Sequence, residues 1–125
     1  MQDELPLFVY GTLMHGHSQS GLVDHLERVQ AKMQGHLFHL AAGYPAARPA
    51  SDGWVFGELV SSPSTRLLQL LDMYEGVSER LYERITTDVQ MGLLRKRAWV
   101  YIMRHPERRG GRRIRSGHWK PFNQR

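Results

Sequence analysis

Glu75 is the residue whose type and position point most directly to chemistry. It stands in the segment 71–76, of sequence LDMYEG, where an amphipathic helix is predicted to end. A carboxylate in the last helical turn meets the negative end of the helix dipole, which costs about 0.3–1 kcal/mol. If apolar neighbours also exclude water, both effects raise its pKa above the usual value of about 4.3, as a general base at neutral pH requires. Alone, the pattern also fits an exposed glutamate at a frayed helix end.

A second candidate site is formed by Tyr10, Gly11, Thr12 and Leu13, which follow an apolar strand near the start of the chain. Glycine permits unusual backbone angles, so that successive N–H groups can converge on an anion such as a ligand carboxylate. Alone, this short segment also fits an ordinary turn. Together with Glu75, it suggests one general base facing one pocket lined by backbone.

Other kinds of site have weaker support in the sequence. The chain has no cysteine, which excludes disulfides, cysteine-ligated zinc and thiol catalysis. His15 and His17 lie in a predicted loop, and His36 and His39 lie on opposite faces of a predicted strand, with no HExxH pair. We therefore predict no metal site. No phosphate-binding GxxxxGK[ST] or GxGxxG loop and no GxSxG elbow occurs.

Charge is distributed unevenly along the chain, whose formal net charge is +5. Residues 95–125 contain eleven lysines and arginines and one acidic residue, whereas residues 1–94 are acidic overall. Trp99, Tyr101 and Trp119 are interleaved with these cations, as in some nucleic-acid-binding segments. Trp99 and Tyr101, however, share one face of a predicted strand and are more simply explained as core residues. We expect no nucleic-acid partner, although the alternative stays open here.

The elements that must position these residues are about six strands and two helices. Apolar and aromatic content, alternation and turn residues between the runs indicate the strands. A bend is expected at Gly35 and a turn at Asp52 and Gly53. Residues 41–47 and 106–113 are predicted to be loops, the second of them basic and flexible. The predicted strands cover residues 5–10, 29–40, 54–60, 82–91 and 97–103, and residues 114–119 are predicted to return as a short element.

The clearest helix is predicted to begin at Ser62 and Pro63, because serine is a good N-cap and proline suits the first helical position. Its apolar stripe consists of Leu67, Leu68, Leu71 and Tyr74. Gly76 is predicted to end it in the left-handed conformation. A shorter helix, capped by Ser18 or Ser20, is predicted to run to about Leu26.

Length and composition favour one α+β domain over residues 1–125, with a curled mixed sheet or a small barrel. No internal repeat or domain boundary is evident. The N-terminus lacks the pattern of a signal peptide, and no apolar run approaches the roughly 20 residues of a membrane span. With the absence of cysteine, these features lead us to expect a cytoplasmic protein without a membrane partner.

The order and spacing of several short motifs resemble the γ-glutamylcyclotransferase-like family, which includes γ-glutamylamine cyclotransferases, plant avirulence-induced proteins and small bacterial members. Each motif alone is too short to be specific, but the order of the motifs over residues 7–119 is much more specific. The motifs are FVYGTL at 8–13, GYPA at 43–46, VFGEL at 55–59, LDMYEG at 71–76, YER at 82–84, AWVY at 98–101 and SGHW at 116–119.

This resemblance implies a small mixed β-barrel with flanking helices and an enzyme that needs no cofactor. The segment 10–13 would hold the α-amino and α-carboxylate end of a γ-glutamyl group, Glu75 would be the catalytic acid and base, and Tyr82 would line the pocket. The implied reaction releases 5-oxoproline and a free amine or amino acid from a small γ-glutamyl substrate. A non-catalytic binding domain of the same fold is the alternative.

Three features depart from the family pattern. His118 stands where members commonly have aspartate, and residues 14–17, of sequence MHGH, replace the basic residue that often follows the segment 10–13. The arginine-rich segment 108–113 is also not expected. The segment is either a solvated hairpin tip or a means of attracting an anionic substrate. The leaving group and the oligomeric state are not determined by the sequence.

Overall fold

The computed structural model describes residues 5–11, 21, 23 and 25–119. These residues form six strands, one α-helix and one 3-10 helix. The elements, in chain order, are β1 (Leu7–Val9), β2 (Arg28–His39), β3 (Pro45–Val60), α1 (Thr65–Tyr74), β4 (Glu83–Met91), β5 (Leu94–Ile102), the 3-10 helix (Pro106–Arg109) and β6 (Arg112–Ile114).

Five of the strands close into a barrel, in the order β3-β1-β5-β4-β2, because β2 also pairs with β3. β6 extends the sheet by pairing with the far half of β2. The sheet is mixed, since β1 runs parallel to β5 and antiparallel to β3. This architecture confirms the predicted α+β fold with a small mixed barrel.

Alternation of side chains along the strands builds two cores, one on each side of the barrel wall. The first core contains a buried residue from each of the five barrel strands, and small barrels are filled by such side chains. The second core lies against α1. Phe8, Met33, Val55, Val89 and Val100 belong to the first core. Leu7, Val9, Val60, Leu71 and Tyr101 belong to the second.

The hairpin of β2 and β3 corrects two predictions. Residues 45–47 were predicted to be loop but are buried and begin β3, which then continues for 16 residues. Asp52 and Gly53 were predicted to turn the chain between strands. Instead they lie in a bulge, where the register of β2 against β3 shifts between Gln34 and Gly35. Gly53 takes a φ of 77° there, so its turn propensity serves the bulge and does not reverse the chain.

Helix α1 begins two residues later than predicted. Ser64, not Ser62, is the N-cap, and its hydroxyl accepts a hydrogen bond of 3.1 Å from the Leu67 N–H. Leu68 and Leu71 of the predicted stripe are buried, but Tyr74 is 43% exposed. Gly76 follows the helix with a φ of 67°, which confirms the predicted left-handed end.

The C-terminal part of the barrel also differs from the prediction. Met91 pairs with Leu94 across a two-residue turn, so β4 and β5 form the predicted hairpin with β5 starting earlier than expected. The segment 106–113, predicted to be a loop, contains the 3-10 helix and the first residues of β6. The helix predicted to end near Leu26 falls largely outside the described residues.

Candidate active site

Glu75 is the C-cap of α1, the helix that packs against the second core. Its backbone N–H donates a 2.8 Å hydrogen bond to the Leu71 carbonyl, as the last residue of a helix does. The chain then turns back on itself, because the N–H of Leu81 donates to the carbonyl of Gly76 at 3.0 Å. This turn brings Tyr82, the next residue, to the same cavity as Glu75.

A cavity of about 220 Å³ lies between the end of α1, the end of β1 and the start of β3. Its lining unites four residues that the sequence singled out, Tyr10, Gly11, Glu75 and Tyr82. Thr12 and Leu13, the other two, lie outside the described residues. Residues 10 and 75 are far apart in sequence, so their meeting at one cavity is a result of the tertiary fold.

Gly11 contributes backbone and no side chain to this cavity. A Cβ at this position would lie 2.5 Å from Cγ of Pro45, which is much too close for two carbon atoms. The absence of a side chain therefore lets the end of β1 pack directly against the start of β3.

Burial raises the pKa of the Glu75 carboxyl to about 7. Within the described part of the chain, no hydrogen bond or ion pair reaches this carboxylate. Loss of water, one of the two causes of a raised pKa that the sequence suggested, is the cause of this rise. A glutamate with this pKa is present in both protonation states at neutral pH.

Three tyrosines, Tyr10, Tyr82 and Tyr101, surround the carboxylate, and burial raises the pKa of each phenol above its usual value. All three are therefore neutral at physiological pH. The Tyr10 hydroxyl donates to the carbonyl of Tyr101 at 2.7 Å and accepts from the N–H of Ala47 at 3.1 Å. The Tyr82 hydroxyl donates to the carbonyl of Pro45 at 2.5 Å. These bonds fix the tyrosine rings as walls of the cavity.

Sequence reasoning assigned no role to Asp72, which organises the wall behind the cavity. Arg84 donates two hydrogen bonds to its carboxylate, at 2.7 and 3.0 Å, and the Tyr101 hydroxyl donates a third at 2.6 Å. Burial acts to raise the pKa of Asp72, but these hydrogen bonds outweigh it and hold the pKa below its usual value. The Arg84 guanidinium also lies 4.3 Å above the Trp99 ring.

One signal in the sequence could have indicated Asp72. It stands four residues after Leu68, so it lies on the buried face of α1 one turn further along. A carboxylate on a buried helix face needs a partner, and Arg84 in the next strand is one.

The remaining candidates have structural explanations where they are described. His36 Nε2 lies 3.0 Å from Asp52 Oδ1, and the His39 ring packs on Trp119. His15 and His17 lie outside the described residues. Tyr101 and Trp119 are buried, so neither ring is free to stack on a base. Between residues 5 and 119, as far as they are described, no three His, Asp or Glu side chains group as metal ligands.

The described part of the chain also contains no helix that is long and apolar enough to cross a membrane.

The family model for γ-glutamyl cyclotransferase, AIG2-like, matches residues 7–121 of the chain. The chain belongs to this γ-glutamyl cyclotransferase family. A comparison with curated protein sequences finds no match. Membership supports an enzyme of the cyclotransferase type in general terms, and it agrees with the resemblance drawn from the order of the motifs.

Solved structures with the same fold include relatives of this family. YkqA from Bacillus subtilis is 28% identical with a TM-score of 0.72, and the match covers 92% of this chain and 39% of YkqA. The chain thus spans well under half the length of YkqA. An AIG2-like protein from Mus musculus is 20% identical with a TM-score of 0.64, covering 97% of this chain and 98% of that one. A protein described as γ-glutamyl cyclotransferase is 18% identical with a TM-score of 0.64, covering 79% and 66%.

Proposed function

We propose that the protein is a γ-glutamyl cyclotransferase that releases 5-oxoproline, with Glu75 as its general acid and base. One observation supports this most strongly. A carboxylate whose pKa is about 7 lines the same small cavity as the glycine turn that ends β1. A general base acts best when its pKa is near the working pH, which is the condition that burial creates at Glu75.

The substrate would enter with its γ-glutamyl head group in this cavity. Its α-carboxylate would accept hydrogen bonds from backbone N–H groups of the segment 10–13, of which Tyr10 and Gly11 line the cavity. The cavity, at about 220 Å³, is smaller than the roughly 300–1,000 Å³ of sites for drug-sized ligands. It suits one head group, with the rest of the substrate outside.

The reaction moves two protons from the attacking nitrogen to the leaving amine. Glu75 takes a proton from the substrate's α-ammonium, whose reference pKa is about 8. The freed amine attacks the γ-carbonyl carbon, forming the ring C–N bond, and the bond from that carbon to the leaving nitrogen breaks. Glu75 gives that first proton to the leaving nitrogen and then takes the second proton that the attacking nitrogen loses as it becomes the ring amide. The released amine takes up this second proton, so that no water or cofactor is consumed. Because nucleophile and electrophile belong to one molecule, the protein has only to orient them.

The tyrosines would serve this chemistry by excluding water. The hydroxyls of Tyr10 and Tyr82 already donate to backbone carbonyls and that of Tyr101 to Asp72, so the rings present a fixed, largely apolar wall to the substrate. An environment of low dielectric strengthens the interaction between the Glu75 carboxylate and the α-ammonium. We assign Tyr82 to substrate binding on this basis, because its side chain lines both the cavity that holds Glu75 and a wider neighbouring cleft.

The test is release of 5-oxoproline from a γ-glutamyl dipeptide, a γ-glutamylamine, glutathione and γ-glutamyl-lysine. We expect turnover of at least one substrate, and a decrease of kcat by about 10²- to 10⁴-fold in Glu75→Gln with ligand affinity retained. Glu79→Gln is the matched control, because Glu79 is exposed four residues further along and should leave kcat unchanged. Turnover by Glu75→Gln at the wild-type rate would exclude the proposed role. Binding without turnover by the wild-type protein would favour the non-catalytic alternative.

A further inference from the structure

A second, wider cleft adjoins the candidate active site. It has a volume of about 910 Å³, and it shares Leu81 and Tyr82 with the cavity that holds Glu75. A substrate whose head group filled the smaller cavity would therefore extend past these two side chains into the cleft. On the far side, the cleft is bounded by residues at the end of β5 and by the 3-10 helix.

The cleft is strongly basic. Four arginines line it, against one carboxylate, that of Glu83. The Arg104 guanidinium donates hydrogen bonds of 2.8 and 3.1 Å to the two oxygens of that carboxylate. The carboxylate of Glu107 on the 3-10 helix is likewise taken by Arg48 outside the cleft. Within the part of the chain that the structure describes, the other three arginines have no carboxylate partner. They are Arg80, Arg108 and Arg109.

The 3-10 helix is attached to the wall of the active site. The Arg109 carbonyl accepts a 3.1 Å hydrogen bond from the N–H of Ala41, just before Tyr44 and Pro45, which line the cavity of Glu75. Burial raises the pKa of the Tyr82 phenol, and the positive charge of Arg109 opposes that rise. Arg109 is thus near enough to Tyr82 to act on a group at the boundary of the two cavities.

Arg80 has an unusual backbone conformation at the opposite edge of the cleft. With a φ of 61°, it is the one non-glycine residue with positive φ among those described. Arginine adopts this region rarely, and such outliers are more frequent at functional sites than elsewhere. Arginines without a carboxylate partner therefore border the cleft both in the turn after α1, with Arg80, and in the 3-10 helix, with Arg108 and Arg109.

We propose that this cleft is the leaving-group subsite and that it selects substrates whose leaving amine carries a carboxylate. The inference rests on the proposed function. Arg80, Arg108 and Arg109 are its specificity-determining residues, because a guanidinium presents a rigid fork of donors that matches a carboxylate. A γ-glutamyl amino acid or short γ-glutamyl peptide supplies that group. A neutral amine lacks it, and a leaving group with a free ammonium is repelled.

The experiment compares two substrates that differ only at the leaving group's acid. These are γ-glutamyl-alanine and γ-glutamyl-alaninamide. We expect kcat/KM to be about tenfold higher for the acid, mainly through KM, because several partly exposed arginines act on one carboxylate. The ratio should decrease as ionic strength rises from about 0.02 to 0.5 M.

Variants at the cleft should remove this preference. Arg108→Gln/Arg109→Gln is expected to bring the ratio close to 1, and Arg109→Lys should retain more of it than Arg109→Gln. Arg95→Gln is the matched control, since Arg95 is an exposed arginine that lines a separate cavity between β2, β3 and the β4–β5 hairpin. It should leave the ratio at the wild-type value.

Failure of the subsite can be distinguished from failure of the reaction. Equal kcat/KM for both substrates in the wild-type protein would overturn the subsite and leave the cyclotransferase activity standing. If neither substrate releases 5-oxoproline, calorimetric Kd values for the two compounds decide the matter. Tighter binding of the acid, lost in Arg108→Gln/Arg109→Gln, would support the subsite, whereas equal or absent binding would overturn it.

Discussion

Asp72 and Glu75 stand three residues apart at the end of one helix, and their surroundings move their pKa values in opposite directions. Asp72 accepts two hydrogen bonds from Arg84 and one from Tyr101, so its pKa lies below the usual value although burial opposes this. Glu75 is surrounded by tyrosine rings and receives no such bonds within the described chain, so burial raises its pKa to about 7.

The difference shows how one short segment can supply both a structural and a chemical carboxylate. Paired groups whose environments push their pKa values apart are a common sign of acid and base roles. A carboxylate that stays ionised at all physiological pH values, such as Asp72, can anchor Arg84 and Tyr101 but is a poor proton carrier. Glu75 has the opposite properties, and the experiments below test this contrast.

The largest expected effect is on the pH dependence of turnover. The unprotonated form of Glu75 is the base, so kcat should decrease as pH falls through about 7, reaching about a hundredfold reduction at pH 5. Asp72 remains ionised over this range and should add no second step. Initial rates of 5-oxoproline release, with folding checked by circular dichroism at each pH, measure this. A midpoint near 4.5 would mean that burial does not perturb Glu75.

The second-largest expected effect is a loss of stability when the Asp72 carboxylate is replaced. Asp72→Asn removes the charge that pairs with Arg84 and replaces one of the two oxygens that accept from Arg84 and Tyr101 by an NH2 donor, in a partly buried site. It should lower the free energy of unfolding by about 2–3 kcal/mol in urea denaturation. Asp88→Asn is the control, because the carboxylate of Asp88 also pairs with an arginine, Arg97, but is 54% exposed where Asp72 is 24% exposed. Its cost should stay below about 1 kcal/mol. Equal costs for the two variants would show that the Asp72 network contributes no more than a surface pair.

The smallest effect is a gain of stability at Glu75. A glutamate with a raised pKa in the folded state binds more protons folded than unfolded, so stability decreases as pH rises from about 4.5 to about 7. Glu75→Gln removes that cost. We expect the variant to be more stable than the wild type by about 1–3 kcal/mol at pH 8 and equally stable near pH 4. Thermal unfolding at the two pH values is the measurement, and a difference that is the same at both would contradict the linkage.

Prediction from the sequence succeeded where a local pattern had one physical reading. Gly76 ends α1 as predicted, because glycine readily accepts a left-handed φ, and Gly35 lies at a shift of register as predicted. The prediction failed where the same residue types fit two different local structures. Asp52 and Gly53 are turn residues by type, but a bulge in a long hairpin uses them equally well.

The arginine-rich segment is a further case in which composition misled. Six residues rich in arginine and glycine are typical of a solvated loop, yet the 3-10 helix is anchored through Pro106, which is buried, and through the bond between Arg109 and Ala41. These long-range contacts with residues near the start of β3 leave no trace in the local pattern.

The sequence alone indicated the approximate positions of the barrel strands, the end of α1 at Glu75 and the order of motifs that is typical of the γ-glutamyl cyclotransferases. Propensity, alternation and spacing are local properties, so a chain displays them without being folded. The three-dimensional fold was needed to show that Glu75 and Gly11 share a cavity and that arginines without a carboxylate partner border the neighbouring cleft. It was also needed to show that burial raises the pKa of Glu75 while Arg84 lowers that of Asp72. Loss of water and distance between charges depend on which residues meet in space, and no local pattern contains that information.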